Sequence, residues 1–185
     1  MARTESTMLA LGTPAPNFEL TDVVTGNLLR LDFCRNMQGV LVMFICTHCP
    51  YVKHIETELA RLGVDYAGKP IAILAISSND AVTHPDDGPD GLKQQAITMG
   101  FRFPYLYDES QEVAKAYKAA CTPDFFLFDA DLRLVYRGQF DSSRPGSGIP
   151  VTGKDLRAAM DAVLAGEPVP ADQHASLGCN IKWKA

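Results

Sequence analysis

The side chains with the most chemistry to offer are five cysteines: Cys34, Cys46, Cys49, Cys121 and Cys179. An odd number spread over 185 residues makes no disulfide scaffold, so these sulfurs are read as reactive thiols or metal ligands. Two of them share the window Phe44-Ile45-Cys46-Thr47-His48-Cys49-Pro50-Tyr51-Val52. Proline favours the first position of a helix, where a missing N–H is no loss, so Pro50 makes Cys49 the capping residue. The free N–H groups and the positive end of the helix dipole then face the Cys49 sulfur and favour its thiolate, the nucleophilic form. Cys49 is therefore the expected nucleophile, and Cys46, three residues back, its expected disulfide partner. His48 stands next to the nucleophile, either supporting the thiolate and moving a proton or lying in a solvated loop. Cys46, His48 and Cys49 also suit a soft metal such as Zn or Cu(I), but one ligand is missing from that set.

The elements that must position these groups alternate between strand and helix. Phe18–Leu20 and Leu28–Leu31 read as a hairpin around Gly26-Asn27. Val40 to Ile45 is apolar at every position, as expected of a central strand buried on both faces. Val52, Ile55, Leu59 and Leu62 give the following segment helical spacing. A second buried strand covers 71–76, and 79–91 reads as an exposed loop in which Asp86 and Asp87 are solvated charges. A helix is expected over 90–99, a short strand over 103–107 and a helix over 110–117. A second hairpin, 125–128 with 132–136, precedes a last helix from Thr152 to Ala165. Thr152 and Asp155 are expected to cap that helix, and Gly148-Ile149-Pro150-Val151-Thr152-Gly153-Lys154-Asp155 is read as this cap rather than a phosphate loop, since Asp155 replaces the Ser/Thr that would hold Mg²⁺. Residues 1–12 are expected to fray. This order implies a single α/β domain over 13–166 with a largely parallel sheet and an antiparallel edge, followed by a tail over 167–185.

With 17 Lys+Arg against 22 Asp+Glu, a net charge of −5 argues against a general affinity for nucleic acid or anionic membrane. The longest apolar run, Val40 to Cys46, is far short of the ~20 residues that span a bilayer. No signal-peptide pattern opens the sequence, so a cytosolic location is expected.

The strand-then-cysteine segment Val40 to Pro50 resembles that of the thioredoxin fold. Together with Phe103–Glu109, Cys121–Asp129 and Gly178–Lys184, it is similar to the peroxiredoxin-like subgroup of the alkyl hydroperoxide reductase/thiol-specific antioxidant (redoxin) superfamily, over about residues 14–184. The resemblance implies a three-layer α/β/α sandwich with a central mixed sheet, an N-terminal hairpin and a packed C-terminal tail. It also places the nucleophile on Cys49 and a cis-proline at Thr122-Pro123. The Thr122 backbone would then pair with an extended substrate strand, and Pro50, Thr122 and Pro123 would shape the substrate groove. Two departures stand out. Thioredoxin's second cysteine falls on Val52, and its buried carboxylate on Met43. The peroxiredoxin Thr/Ser, Pro and activating Arg fall on Cys46, Val42 and Pro123.

These residues point to a thiol-disulfide oxidoreductase without a cofactor. Cys49 attacks a protein or small-molecule disulfide, and Cys46 or, second, Cys121 resolves the mixed disulfide with electrons from a thiol donor. Cys179 resolves only if the tail folds over the site; otherwise it packs under Trp183. Cys34 is read as incidental, His54 as a surface residue, and His84 and His174 carry no role. A homodimer is left open. The alternatives are a thiol peroxidase working through a Cys49 sulfenic acid, and a metal-binding or partner-docking module.

Overall fold

The structure, a computed structural model, describes residues 3–185. Met1 and Ala2, part of the stretch expected to fray, lie outside the described residues. The strands are β1 (Arg3–Glu5), β2 (Glu19–Asp22), β3 (Leu28–Arg30), β4 (Gly39–Phe44), β5 (Ile71–Ser77), β6 (Tyr105–Tyr107), β7 (Cys121–Thr122), β8 (Asp124–Asp129), β9 (Leu134–Gly138) and β10 (Leu177–Asn180). The helices are α1 (Pro50–Asp65), α2 (Pro89–Met99), α3 (Glu112–Ala116) and α4 (Lys154–Ala165).

A seven-stranded sheet runs in the order β3-β2-β6-β5-β4-β8-β9. Only β4–β5 and β5–β6 pair in parallel; the other pairs are antiparallel, so the sheet is mixed rather than largely parallel. The reason is that the early hairpin docks on β6 and β8 pairs directly with β4, so both flanks run against the parallel centre. Strand β4 alternates between two cores. Leu41, Met43 and Ile45 pack with α1, α2 and α4, while Val40, Val42 and Phe44 pack with α3 and the N-terminal segment. An apolar residue at every position is what a strand covered on both faces requires. Cys34 belongs to the second core, in a 3₁₀ turn over Leu31–Cys34, and is not a loop residue.

Two further expectations are corrected. Helix α4 is capped by Gly153, at φ 68°, rather than Thr152. Asp141 Oδ2 accepts the Thr152 and Gly153 N–H groups at 2.7 and 2.6 Å, while Asp155 accepts Gln139 Nε2 at 2.7 Å. The Asp141 carboxylate, from another loop, holds the two residues before the helix, while Thr152 Oγ1 accepts the Lys154 N–H at 3.3 Å. The second correction concerns the termini. The segment expected to fray contains β1, and the tail contains β10; with β7 they form a three-stranded antiparallel sheet, β1-β10-β7. That small sheet lies against the end of β4 where the chemistry is placed.

Candidate active site

Cys49 is the residue before the first turn of α1, with extended dihedrals (φ −70°, ψ 124°) and Pro50 opening the helix. Its sulfur has no solvent exposure. Thr122, joined to Pro123 by a cis peptide bond, crosses beside it, and Cys49 Sγ lies 3.2 Å from the Thr122 carbonyl oxygen. Cys46 Sγ lies 3.4 Å from Thr122 Oγ1. The nearest sulfur contact comes from the tail, with Cys179 Sγ 2.7 Å from Cys49 Sγ.

These neighbours divide the charge among the sulfurs. The Cys46 thiol, as a hydrogen-bond donor to the charged sulfur, outweighs the cost of burial at Cys49; Cys179, Thr122 and the Val52 amide add to it, and the Cys49 thiol is pulled down to about 5. The same hydrogen bond, burial and the Asp87 charge hold Cys46 well above the ordinary range. Burial first, then the contact with Cys49, pushes Cys179 up to about 12. At neutral pH the site is one thiolate flanked by two thiols. Only the thiolate is a competent nucleophile.

The segment between the two cysteines is fixed by Asp87, which has no exposed surface and is no solvated charge. Its Oδ1 accepts the Thr47 N–H at 2.8 Å and the Thr47 hydroxyl at 2.7 Å, and its Oδ2 accepts Asn79 Nδ2 at 2.8 Å. His48 Nδ1 lies 2.5 Å from Oδ2, and the His48 ring stacks on His84 with centroids 4.8 Å apart. The donors hold Asp87 below the usual carboxylate range in spite of its burial. The loop around Asp87 is therefore turned inward, with Ser78, Asn79 and Asp80 buried as well. Gln95 completes the frame: its Nε2 donates to the Cys46 carbonyl at 3.3 Å and its Oε1 accepts the Tyr105 hydroxyl at 3.0 Å.

Cys46, His48 and Asp87 bring a sulfur, a ring nitrogen and a carboxylate oxygen within 4.8 Å of one another. The set is a poor cation site, because both Asp87 oxygens are already engaged and Cys46 is held as the thiol rather than the ligating thiolate.

The structure aims Cys121 elsewhere. Its thiol meets the Pro123 carbonyl at 3.6 Å and is pushed up by burial and the Asp124 charge. Thr122 stands where the resemblance places it, but its edge is already taken, since β10 pairs with it in the register Cys179↔Thr122. His54 is part-buried against Ser143 Oγ at 3.1 Å. Asp87 and His84 are the site residues that sequence reasoning passed over, while Cys179, expected to reach the site only if the tail folds over it, is brought there by β10. The Gly178-Cys179 step was the available signal, since a glycine in a strand often marks a close backbone approach. A Cβ at Gly178 would lie 2.0 Å from the Thr122 oxygen.

The AhpC/TSA family model matches residues 11–137. Two curated relatives, the thiol-disulfide oxidoreductases ResA of Geobacillus kaustophilus and Geobacillus thermodenitrificans, are each 29% identical over 126 residues, 68% of this chain and 67% of theirs. A solved structure described as an uncharacterized conserved protein from Geobacillus kaustophilus is 56% identical, with a TM-score of 0.97 over 100% of this chain and 97% of its own. A hypothetical protein from Sinorhizobium meliloti 1021 is 51% identical, with a TM-score of 0.96 over 98% and 99%. The thioredoxin domain of a thiol-disulfide oxidoreductase from Bacteroides vulgatus, 18% identical, shares the fold with a TM-score of 0.62 over 81% of this chain and 97% of its own.

Proposed function

The chain belongs to the AhpC/TSA family, and we propose that within it this protein is a thiol-disulfide oxidoreductase of the thioredoxin-like type, with Cys49 as its nucleophile. One observation carries the proposal: a cysteine at a helix N-terminus, beside Thr122 and cis-Pro123, whose neighbours favour its thiolate at neutral pH. The Cys49 thiolate attacks one sulfur of a substrate disulfide. The old S–S bond breaks, a thiolate leaves and takes up a proton, and a mixed disulfide remains on Cys49. A second thiol of the chain then displaces the other half of the substrate. The substrate is a disulfide in a protein or a small molecule, and an external thiol restores the reduced form. The proposal sets the protein in the cytosol, where thiols are kept reduced.

Peroxide reduction is not favoured. The activating Thr/Ser, Pro and Arg of peroxiredoxins correspond to Cys46, the buried Val42 and Pro123.

The test is reduction of insulin or a small aromatic disulfide, with dithiothreitol as donor, by wild type and Cys49→Ser. Cys49→Ser is expected to lose at least 100-fold in rate, the scale on which removal of a nucleophile is felt. Equal rates would remove the proposal.

A further inference from the structure

The sulfur that the proposed function needs is sealed, and the cover is the protein's own C-terminal strand. An incoming extended substrate is expected to pair with the Thr122 edge, laying its disulfide on Cys49. Strand β10 occupies that edge in antiparallel register, Cys179 opposite Thr122 and Asn180 opposite Cys121. It presents a cysteine to Cys49 at 2.7 Å, the contact a substrate sulfur would make. Gly178 allows the fit, because any side chain there would collide with the Thr122 carbonyl.

The strand is fastened on both sides. Before it, Ser176 Oγ donates to the Pro123 carbonyl at 2.6 Å, and the Ser176 N–H donates to Ser6 Oγ at 2.9 Å. After it, the Lys182 N–H donates to Asn79 Oδ1 at 2.8 Å, and the Lys182 carbonyl accepts Gln111 Nε2, also at 2.8 Å. Between these anchors lie five residues, Leu177 to Ile181, few enough to release their pairing with β1 and β7 locally while the ends stay attached. Asn79 also holds Asp87, so the rear anchor and the Cys46–Cys49 segment share one polar cluster.

Resting on the reading of Cys49 as the nucleophile, we propose that β10 is an internal substrate strand: it covers Cys49 in the reduced protein, yields to an incoming disulfide, and on return delivers Cys179 as the resolving thiol. The steps balance. Cys49 S⁻ attacks R–S–S–R′, giving Cys49–S–S–R, and R′S⁻ leaves to be protonated. Cys179 then loses its proton to solvent and attacks the Cys49 sulfur. The bond to R breaks, RS⁻ leaves, and a Cys49–Cys179 disulfide closes. Two protein thiols are oxidised and the substrate disulfide is reduced to two thiols; an external dithiol resets the pair. The contact with a charged Cys49 that helps keep Cys179 protonated disappears once Cys49 is in the mixed disulfide.

The experiment treats the reduced full chain with a chromogenic aromatic disulfide, follows thiol release, and maps the disulfides by mass. Wild type is expected to release two thiols per chain and to yield a Cys49–Cys179 disulfide. Cys179→Ser is expected to release one and to stop as the mixed disulfide on Cys49. A Cys46–Cys49 disulfide in wild type, or a full second release from Cys179→Ser, would overturn the assignment. Gly178→Ala, with its fold checked by circular dichroism, is expected to speed alkylation of Cys49 at least tenfold and to slow the second release. An unchanged alkylation rate would overturn the covering role. If Gly178→Ala does not fold, hydrogen exchange on wild type answers instead: the β10 amides should exchange faster in the reduced than in the oxidised protein, and equal rates overturn the lifting strand. Failure of the underlying reading looks different, with Cys49→Ser releasing as much thiol as wild type.

Discussion

Two aspartates without any exposed surface, Asp87 and Asp124, behave in opposite ways. Asp87 lies among donors from Thr47 and Asn79 and beside His48, and its carboxyl is held below the usual range. Asp124 sits at the start of β8, opposite Phe44, and its Oδ1 has no hydrogen-bond partner. Burial outweighs the backbone N–H groups it does accept, and its carboxyl is raised to about 7. Two of the buried cysteines repeat the contrast. Cys49, ringed by donors, falls to about 5, while Cys121, packed beside Asp124, is raised. The lesson is that depth alone does not choose a charge state in this molecule. The donors aimed at a group choose it, and they have been gathered around the loop that carries Cys49.

The contrast is tested most severely at Asp87. In Asp87→Ala the Thr47 N–H and Asn79 Nδ2 lose their acceptor inside the protein, at roughly 1–3 kcal/mol each, so about 4 kcal/mol of stability should go. Urea unfolding at pH 7 reads this as a lower midpoint. A loss below about 1 kcal/mol would mean that the cluster is not what holds the loop. The pH dependence has a definite sign. A carboxyl held low stabilises above its unfolded value near about 3.9 and loses that contribution as pH falls through its folded value.

Asp124 should show the reverse. Its folded value near 7 lies above the unfolded one, so between about pH 4 and 7 the folded state binds more protons than the unfolded chain. Its contribution is complete below the unfolded value and drains away as pH rises through 7. At 1.36 kcal/mol per unit the loss is on the order of 3 kcal/mol, allowing for relaxation around a buried charge. Wild type measured against Asp124→Asn across this window should reveal the slope, with the variant gaining on wild type toward pH 8. Parallel stability curves for the two proteins would end the contrast.

What the chain disclosed in advance was local. The apolar run Val40 to Ile45, the Cys49-Pro50 helix start and the order of strands and helices each depend on neighbours in sequence, and each is present in the structure. The residues passed over have partners far along the chain. Asp87 looks like a solvated loop charge until Thr47, forty positions earlier, meets it. Asp141 holds Thr152 and Gly153, the two residues before α4, from outside the segment that a capping box would use. Leu177 to Asn180 is too short to announce a strand by periodicity, and it becomes one only between Arg3–Glu5 and Cys121–Thr122. The occupant of the Thr122 edge was hidden for the same reason, since the tail that fills it is 57 residues further on in the paired register, Cys179 on Thr122.

The smallest expected effect separates the donors around Cys49 from one another. The Cys46 thiol is the largest influence lowering Cys49, ahead of Cys179, Thr122 and the Val52 amide. Removing it in Cys46→Ala leaves three donors in place, so the thiolate should survive but weaken. The midpoint of the thiolate ultraviolet absorbance should climb from near 5 toward the ordinary cysteine value of about 8.5, by roughly one unit or about 1.4 kcal/mol. Absorbance is the right probe because it does not require a reagent to pass β10. Cys121→Ala is the control, since its thiol faces the Pro123 carbonyl and should leave the midpoint where it is. If the two variants moved it equally, the ring of donors would not be what separates Cys49 from Cys121, and bulk burial on that side of the molecule would have to be weighed again.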